Sequence, residues 1–136
     1  MIDKEIFRIA SNTENHGALD NHTHFSKLNN SICGDDMKIY LIVKNNKITN
    51  FKYECESCIY CQASVSLLSK NAKNKLIEKV KNFAQQANNY FDKNTNSFDK
   101  EWKEFDKIMA INNISRKECL LLPINTMLDA LSKKTL

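Results

Sequence analysis

Residues 37–68 read MKIYLIVKNNKITNFKYECESCIYCQASVSLL, and within this stretch the hydrophobic period changes once. Met37, Ile39, Leu41 and Val43 alternate with Lys38, Tyr40, Ile42 and Lys44; Asn45-Asn46 interrupts, and Ile48, Phe51 and Tyr53 resume. Alternation, interruption and resumption predict a β-hairpin. From Cys58 the spacing becomes helical, with Cys58, Cys61, Val65 and Leu68 three and four residues apart. Upstream, residues 23–28 form a weaker strand candidate that could pair on one edge, giving an antiparallel sheet of about three strands with one buried face.

Downstream, the helical stripes are Leu76, Val80, Phe83, Ala84 and Ala87, then Phe98, Trp102, Phe105 and Met109, then Leu120, Ile124, Met127, Leu128 and Leu131. Each reads as an amphipathic face turned to a core. Residues 2–10 suit a short amphipathic helix, broken by Ser11-Asn12-Thr13 and Asn15-His16-Gly17, and residues 88–100 read as an exposed connection. Strands first and helices afterwards imply an α+β domain, a small antiparallel sheet with helices packed on one face.

A chain of 136 residues with 42% hydrophobic residues suits one domain, 1–136, whose core needs no disulfide. No run approaches the roughly 20 apolar residues of a membrane-spanning helix, and the first ten residues lack the apolar core of a secretory signal. A cytoplasmic protein with no membrane association is expected. The five cysteines, an odd number without an export signal, point to thiol and metal chemistry. The net charge of +4 comes from lysines scattered among acids, so no nucleic-acid partner is expected.

Cys33, Asp35, Cys58 and Cys119 form a spread ligand set of three soft thiolates and one hard carboxylate. In Cys33-Gly34-Asp35 a glycine that tolerates positive φ lets two donors turn toward one ion. Cys58 sits where strand gives way to helix, and Cys119 precedes the last helical stripe, with Pro123 expected in that helix's first turn. A helix start favours thiolate. Structural zinc sites usually draw four Cys or His ligands from two tight knuckles, whereas an oxygen ligand suggests a centre built for exchange.

These residues resemble the U-type iron–sulfur assembly proteins, which include IscU, the N-terminal domain of NifU, and SufU. Asn12-Thr13-Glu14-Asn15-His16-Gly17 looks like the family's Asn-Pro-x-Asn-x-Gly segment with Thr13 in the proline position. Cys33-Gly34-Asp35 matches its Cys-Gly-Asp motif, Ser57-Cys58 through Ala63-Ser64 its Gly-Cys-x-x-x-x-Ala-Ser helix start, and Cys119 its last cysteine. The resemblance implies a protein that receives persulfide sulfur from a cysteine desulfurase of SufS, IscS or NifS type and supports cluster assembly for iron–sulfur acceptor proteins. It also implies Cys33, Asp35, Cys58 and Cys119 as ligands of Zn2+, of iron or of a transient [2Fe–2S] cluster. By the same analogy, Cys33 is the candidate sulfur acceptor.

The long segment between Cys58 and Cys119 looks like the inserted middle region of SufU, which favours zinc-dependent sulfur transfer. Glu118 replaces the histidine that IscU carries there, and residues 112–116 do not preserve IscU's chaperone motif, so a dedicated Hsp70 partner is not expected. Glu118 reads as a solvated carboxylate. An IscU-type scaffold building a labile [2Fe–2S] cluster and a zinc-stabilised interaction module are the alternatives; whether the chain is a sulfur-transfer partner or a non-enzymatic scaffold stays open. Cys55, Cys58 and Cys61 also make a ferredoxin-like Cys-x-x-Cys-x-x-Cys run, without its following Cys-Pro. Cys61, one helical turn past Cys58, could reach the metal edge as a resolving or auxiliary thiol, although an idle thiol at 55 and 61 is the simpler reading. His16, His22 and His24 read as surface residues, with His22 and His24 on one strand face but without a third ligand.

Overall fold

The computed structural model describes residues 4–31, 34–91, 98–109 and 111–133. Helix α1 (Lys4–Ala10) leads to strands β1 (His24–Asn30), β2 (Asp35–Lys44) and β3 (Lys47–Glu56), followed by α2 (Ile59–Ala72), α3 (Ile77–Asn89), the one-turn α4 (Phe105–Ile108) and α5 (Lys117–Ser132). The strands form an antiparallel sheet in the order β1-β2-β3. Asn45 and Asn46 take positive φ, 53° and 61°, at the tight β2–β3 turn, a conformation asparagine tolerates better than most residues.

The pleat places Met37, Ile39, Leu41, Phe51 and Tyr53 on the face covered by helices, where all are buried, while Lys38, Tyr40, Lys52 and Glu54 occupy the other face, half-exposed. Helix α5 packs on β1, β2 and α2, and α3 packs on α5. The α+β architecture with helices on one face is therefore the one the hydrophobic pattern implies.

The chain before β1 is tied to the body by small polar groups. Ser66 Oγ donates to the Asn12 carbonyl at 2.8 Å and Asn15 Nδ2 to Ser69 Oγ at 3.1 Å. Gly17 N–H donates to the Tyr53 carbonyl at 2.8 Å, and Tyr53 N–H to the Asn15 carbonyl at 3.2 Å, so residues 15–17 lie along β3.

Four expectations change in detail. Phe98, Trp102, Phe105 and Met109 are all buried, yet they do not share one helix: a 3₁₀ turn at Lys100–Trp102 is followed by α4. The rings gather around Phe83, which stacks on Trp102 at 4.1 Å and lies 4.7 Å from Phe105 and 5.2 Å from Phe98. Asp106 Oδ1 accepts the Phe98 N–H at 3.0 Å, a side-chain bond that holds a non-helical path. Leu76 is the N-cap of α3 and is 44% exposed, so the buried stripe begins at Val80. Tyr90, Phe91 and Phe98 are buried within the expected exposed connection, of which residues 92–97 lie outside the described residues. Helix α5 starts before Cys119, which places Pro123 past its first turn, where it has no N–H to give the Cys119 carbonyl.

No helix among the described residues is long and apolar enough to cross a membrane. Truncating Phe83 to Ala should cost about 3–5 kcal/mol in urea unfolding, because the rings around it cannot all close the void.

A second test concerns Asp129, which accepts from Ser26 Oγ of β1 and from Lys133 Nζ at 2.8 Å. The Lys133 hydrogen bond, then the Ser26 hydroxyl, hold its carboxyl below the usual range. A depressed carboxyl contributes stability above its unfolded pKa and loses it as pH falls through the folded value. Asp129→Asn should therefore be less stable than the parent at neutral pH, with the gap closing in acid, as read from paired urea titrations.

Candidate metal centre

Asp35 opens β2 in phase with Met37, Ile39 and Leu41, so its carboxylate turns to the helix-covered face and is only 2% exposed. A carboxylate shut off from water needs hydrogen bonds or a cation. Oδ1 accepts the backbone N–H of Cys58 at 2.9 Å, and Oδ2 lies 3.8 Å from Cys58 Sγ. Cys58 is the N-cap of α2, with extended backbone and no capping bond from its own side chain; its carbonyl accepts the Gln62 N–H at 3.0 Å.

Cys119 is the third residue of α5 and is buried. Asn30, paired with Asp35 across the β1–β2 ladder, brings Nδ2 to 4.0 Å from Cys119 Sγ. The two helix starts are locked together: Ser64 Oγ of α2 donates to the Leu120 carbonyl at 2.6 Å, and the Arg116 guanidinium lies over the Tyr60 ring at 5.1 Å. Neither Asn30 nor the Arg116–Tyr60 contact was foreseen from sequence. Asn30 could have been found by counting back across the hairpin from Asp35; the Arg116 contact carries no local signal.

Asp35, Cys58 and Cys119 each offer one ligand atom, and these atoms lie within 4.8 Å of one another. Ligand atoms around a tetrahedral zinc with Zn–S near 2.3 Å sit about 3.8 Å apart, so the set needs only a small closing movement. Each of the three is anionic when ionised, and two are buried; like charges gathered there repel unless a cation neutralises them. Cys58 and Cys119 both sit at helix starts, where oriented backbone N–H groups attract negative charge. The donor set thus fits a borderline metal ion such as zinc, or iron.

Cys33 lies outside the described residues. Flanking it, Gly34 has φ +71° and donates its N–H to the Asn30 carbonyl at 2.8 Å. The left-handed turn that glycine was read to permit is present. Glu118 is exposed and borders a cavity of about 340 Å³ with Leu28, Asn30, Ser31 and Leu122.

Among the described residues, no group of three or more metal-type donors includes Cys55, Cys61 or a histidine, so the ferredoxin-like run does not gather on one ion. Cys55 sits half-buried on β3 and Cys61 is wholly buried in α2. Burial pushes the Cys61 thiol well above its ordinary range, against the Ser57 hydroxyl, with Asp35, Cys55 and Cys58 adding to the rise. His22 precedes β1 rather than sharing a strand face with His24; its Nδ1 lies 2.6 Å from the Leu19 carbonyl, and its ring contacts Phe25 and Tyr40.

The family model described as the NifU-like N terminal domain matches residues 1–95, well over half of the chain. The chain belongs to this family. The Archaeoglobus fulgidus protein named iron–sulfur cluster assembly scaffold protein IscU 1 is 30% identical over 87 residues, which is 64% of this chain; the match spans only 57% of that relative's length. The scaffold protein IscU of Thermotoga maritima is 26% identical over 98% of the chain and 94% of its own length. The crystal structure of a NifU-like protein (N-terminal) from Brucella abortus superposes with a TM-score of 0.89 at 19% identity, over 96% of this chain and 91% of that one. A putative scaffold protein for the SUF system from Fervidobacterium islandicum AW-1 gives 0.86 at 23% identity, covering 96% of each chain. At these identities the structures establish the fold.

Asp35→Ala should weaken zinc or cobalt binding by at least about tenfold, since even an outer partner of a metal ligand is commonly worth that much. Asp35→Asn keeps an acceptor for the Cys58 N–H and separates loss of the helix start from loss of the ligand. Chelator competition checks both variants, and unchanged affinity and exchange rates in Asp35→Ala would remove Asp35 from the ligand set.

Proposed function

We propose that this chain works in iron–sulfur cluster assembly by accepting persulfide sulfur from a cysteine desulfurase at a Cys33, Asp35, Cys58 and Cys119 centre. The observation that carries this reading is the buried Asp35 carboxylate set beside two thiols from two helix starts. A site meant only to hold the fold is better served by four soft ligands; a carboxylate among thiolates makes a centre that exchanges a ligand. The scaffold names of the relatives support the process.

In this reading the four side chains would hold zinc in the resting protein. Zinc would keep its thiolate ligands deprotonated at neutral pH and fix their positions. Cys33, beside the glycine turn, is the thiolate that attacks the outer sulfur of the desulfurase persulfide; a new S–S bond forms, the desulfurase thiolate leaves, and Cys33 carries the persulfide. Asp35 keeps the start of α2 in place by its bond to the Cys58 N–H while Cys33 reacts. Iron–sulfur acceptor proteins receive the product downstream.

The curated relatives are named as scaffolds, and this favours a second reading in which the same four residues assemble a labile [2Fe–2S] cluster as cargo. Desulfurase turnover with and without the chain, beside anaerobic metal analysis, separates the two. Stoichiometric zinc and a stimulation of turnover that Cys33→Ser reduces at least tenfold are expected of the acceptor. No stimulation, together with [2Fe–2S] absorbance on reconstitution, would replace it with the scaffold.

A further inference from the structure

Cys58-Ile59-Tyr60-Cys61 is a Cys-x-x-Cys placed at a helix start, and the centre described above uses only its first cysteine. Cys58 is the half-buried N-cap; Cys61, one turn on, has no exposed surface. Helix geometry puts Cα atoms three residues apart at about 5 Å, inside the range a disulfide spans. Every Cα–Cβ bond in a helix leans toward its N-terminus, so the Cys61 side chain is directed back to the turn that holds Cys58. The hydroxyl oxygen of Ser57 is buried beside this turn with no hydrogen-bond partner. A reachable thiol over a sealed one is the arrangement in which an adduct on the first is resolved by the second.

We propose that Cys58 and Cys61 are a redox dithiol that converts sulfane sulfur carried on Cys58 into sulfide. Cys61 sulfur attacks Cys58 Sγ in the persulfide Cys58–S–SH; the Cys58–Cys61 bond forms, the bond to the outer sulfur breaks, and hydrosulfide leaves with the proton given up by Cys61. The two cysteines are oxidised together by two electrons and the outer sulfur is reduced by two, so the step needs no outside oxidant or reductant. A cellular dithiol then reduces the disulfide and resets the pair. This rests on the sulfur-acceptor reading: the Cys58 thiolate attacks the outer sulfur of the Cys33 persulfide, a new S–S bond forms as the Cys33 thiolate leaves, and the dithiol then adds the electrons that turn delivered sulfur into the sulfide a cluster contains. A metal ion held by Cys58 would block the step, so it belongs to the chain between metal-bound states.

The test gives the full-length chain, reduced and freed of metal by chelation with its far-ultraviolet circular dichroism intact, one equivalent of cysteine persulfide. No desulfurase is present, so failure of the acceptor reading is measured separately from failure of this step. The expected result is about one sulfide per chain and a mass loss of about 2 units, with differential alkylation showing Cys58 and Cys61 protected. Cys61→Ser, with Cys61→Ala as a second variant should one misfold, keeps a mass gain of about 32 units on Cys58 and releases at least tenfold less sulfide. Cys55→Ser behaves as the parent. A persulfide that stays on the parent chain, sulfide release unaffected by loss of Cys61, or a disulfide made through Cys55 or Cys33 would overturn the proposal.

Discussion

The hydrogen bond from the Cys58 N–H to the buried carboxylate of Asp35 joins the first residue of one strand to the cap of the following helix, and it shares its geometry with the core. Asp35 lies on the same face of β2 as Met37, Ile39 and Leu41. A one-residue slip of β2 would expose those three side chains and turn the carboxylate to solvent at the same time. The register that buries these three apolar side chains is thus the register that aims the ligand, so whatever holds this part of the core also holds the centre.

Helix α5 plays the matching part from the other side. It packs on β1, β2 and α2 at once, so the position of Cys119 follows from three sets of contacts rather than from a flexible loop. The Ser64 bond to the Leu120 carbonyl fixes the advance of α5 relative to α2 one residue from the thiol. Ionised and without a cation, the gathered donors would oppose the folding of this end of the molecule, and a bound metal relieves that opposition through the mass-action gain of any ligand that binds only the folded state.

Much of this was legible in the chain itself, because the informative signals were local periods. Alternation over Met37–Val43 marked β2, the Asn45-Asn46 interruption marked the turn, and the helical spacing after Cys58 marked α2. Where the reading departed from the molecule, long-range packing outweighed the local period. The Phe98–Met109 stripe is buried but follows the rings assembled on Phe83 rather than a helical ladder. Pro123 suggested a later start to α5, since the contacts that carry the helix back to Lys117 come from elements far away in sequence. Asp35, Cys58 and Cys119 were named from spacing and resemblance, and they meet; Asn30 was invisible until the hairpin register placed it opposite Asp35.

Residues 15–17, bonded to Tyr53 along β3, have a further effect on how the molecule meets others. An uncovered outer strand is a template on which another chain can lay down a strand of its own. On β3 that template is interrupted at Tyr53, whose N–H and carbonyl are taken by Asn15 and Gly17 of the protein's own N-terminal segment, itself anchored to α2 through Ser66 and Ser69. Recruitment by strand addition is disfavoured along that border. The same interruption guards a chain rich in apolar strand residues against sheet-to-sheet polymerisation through β3.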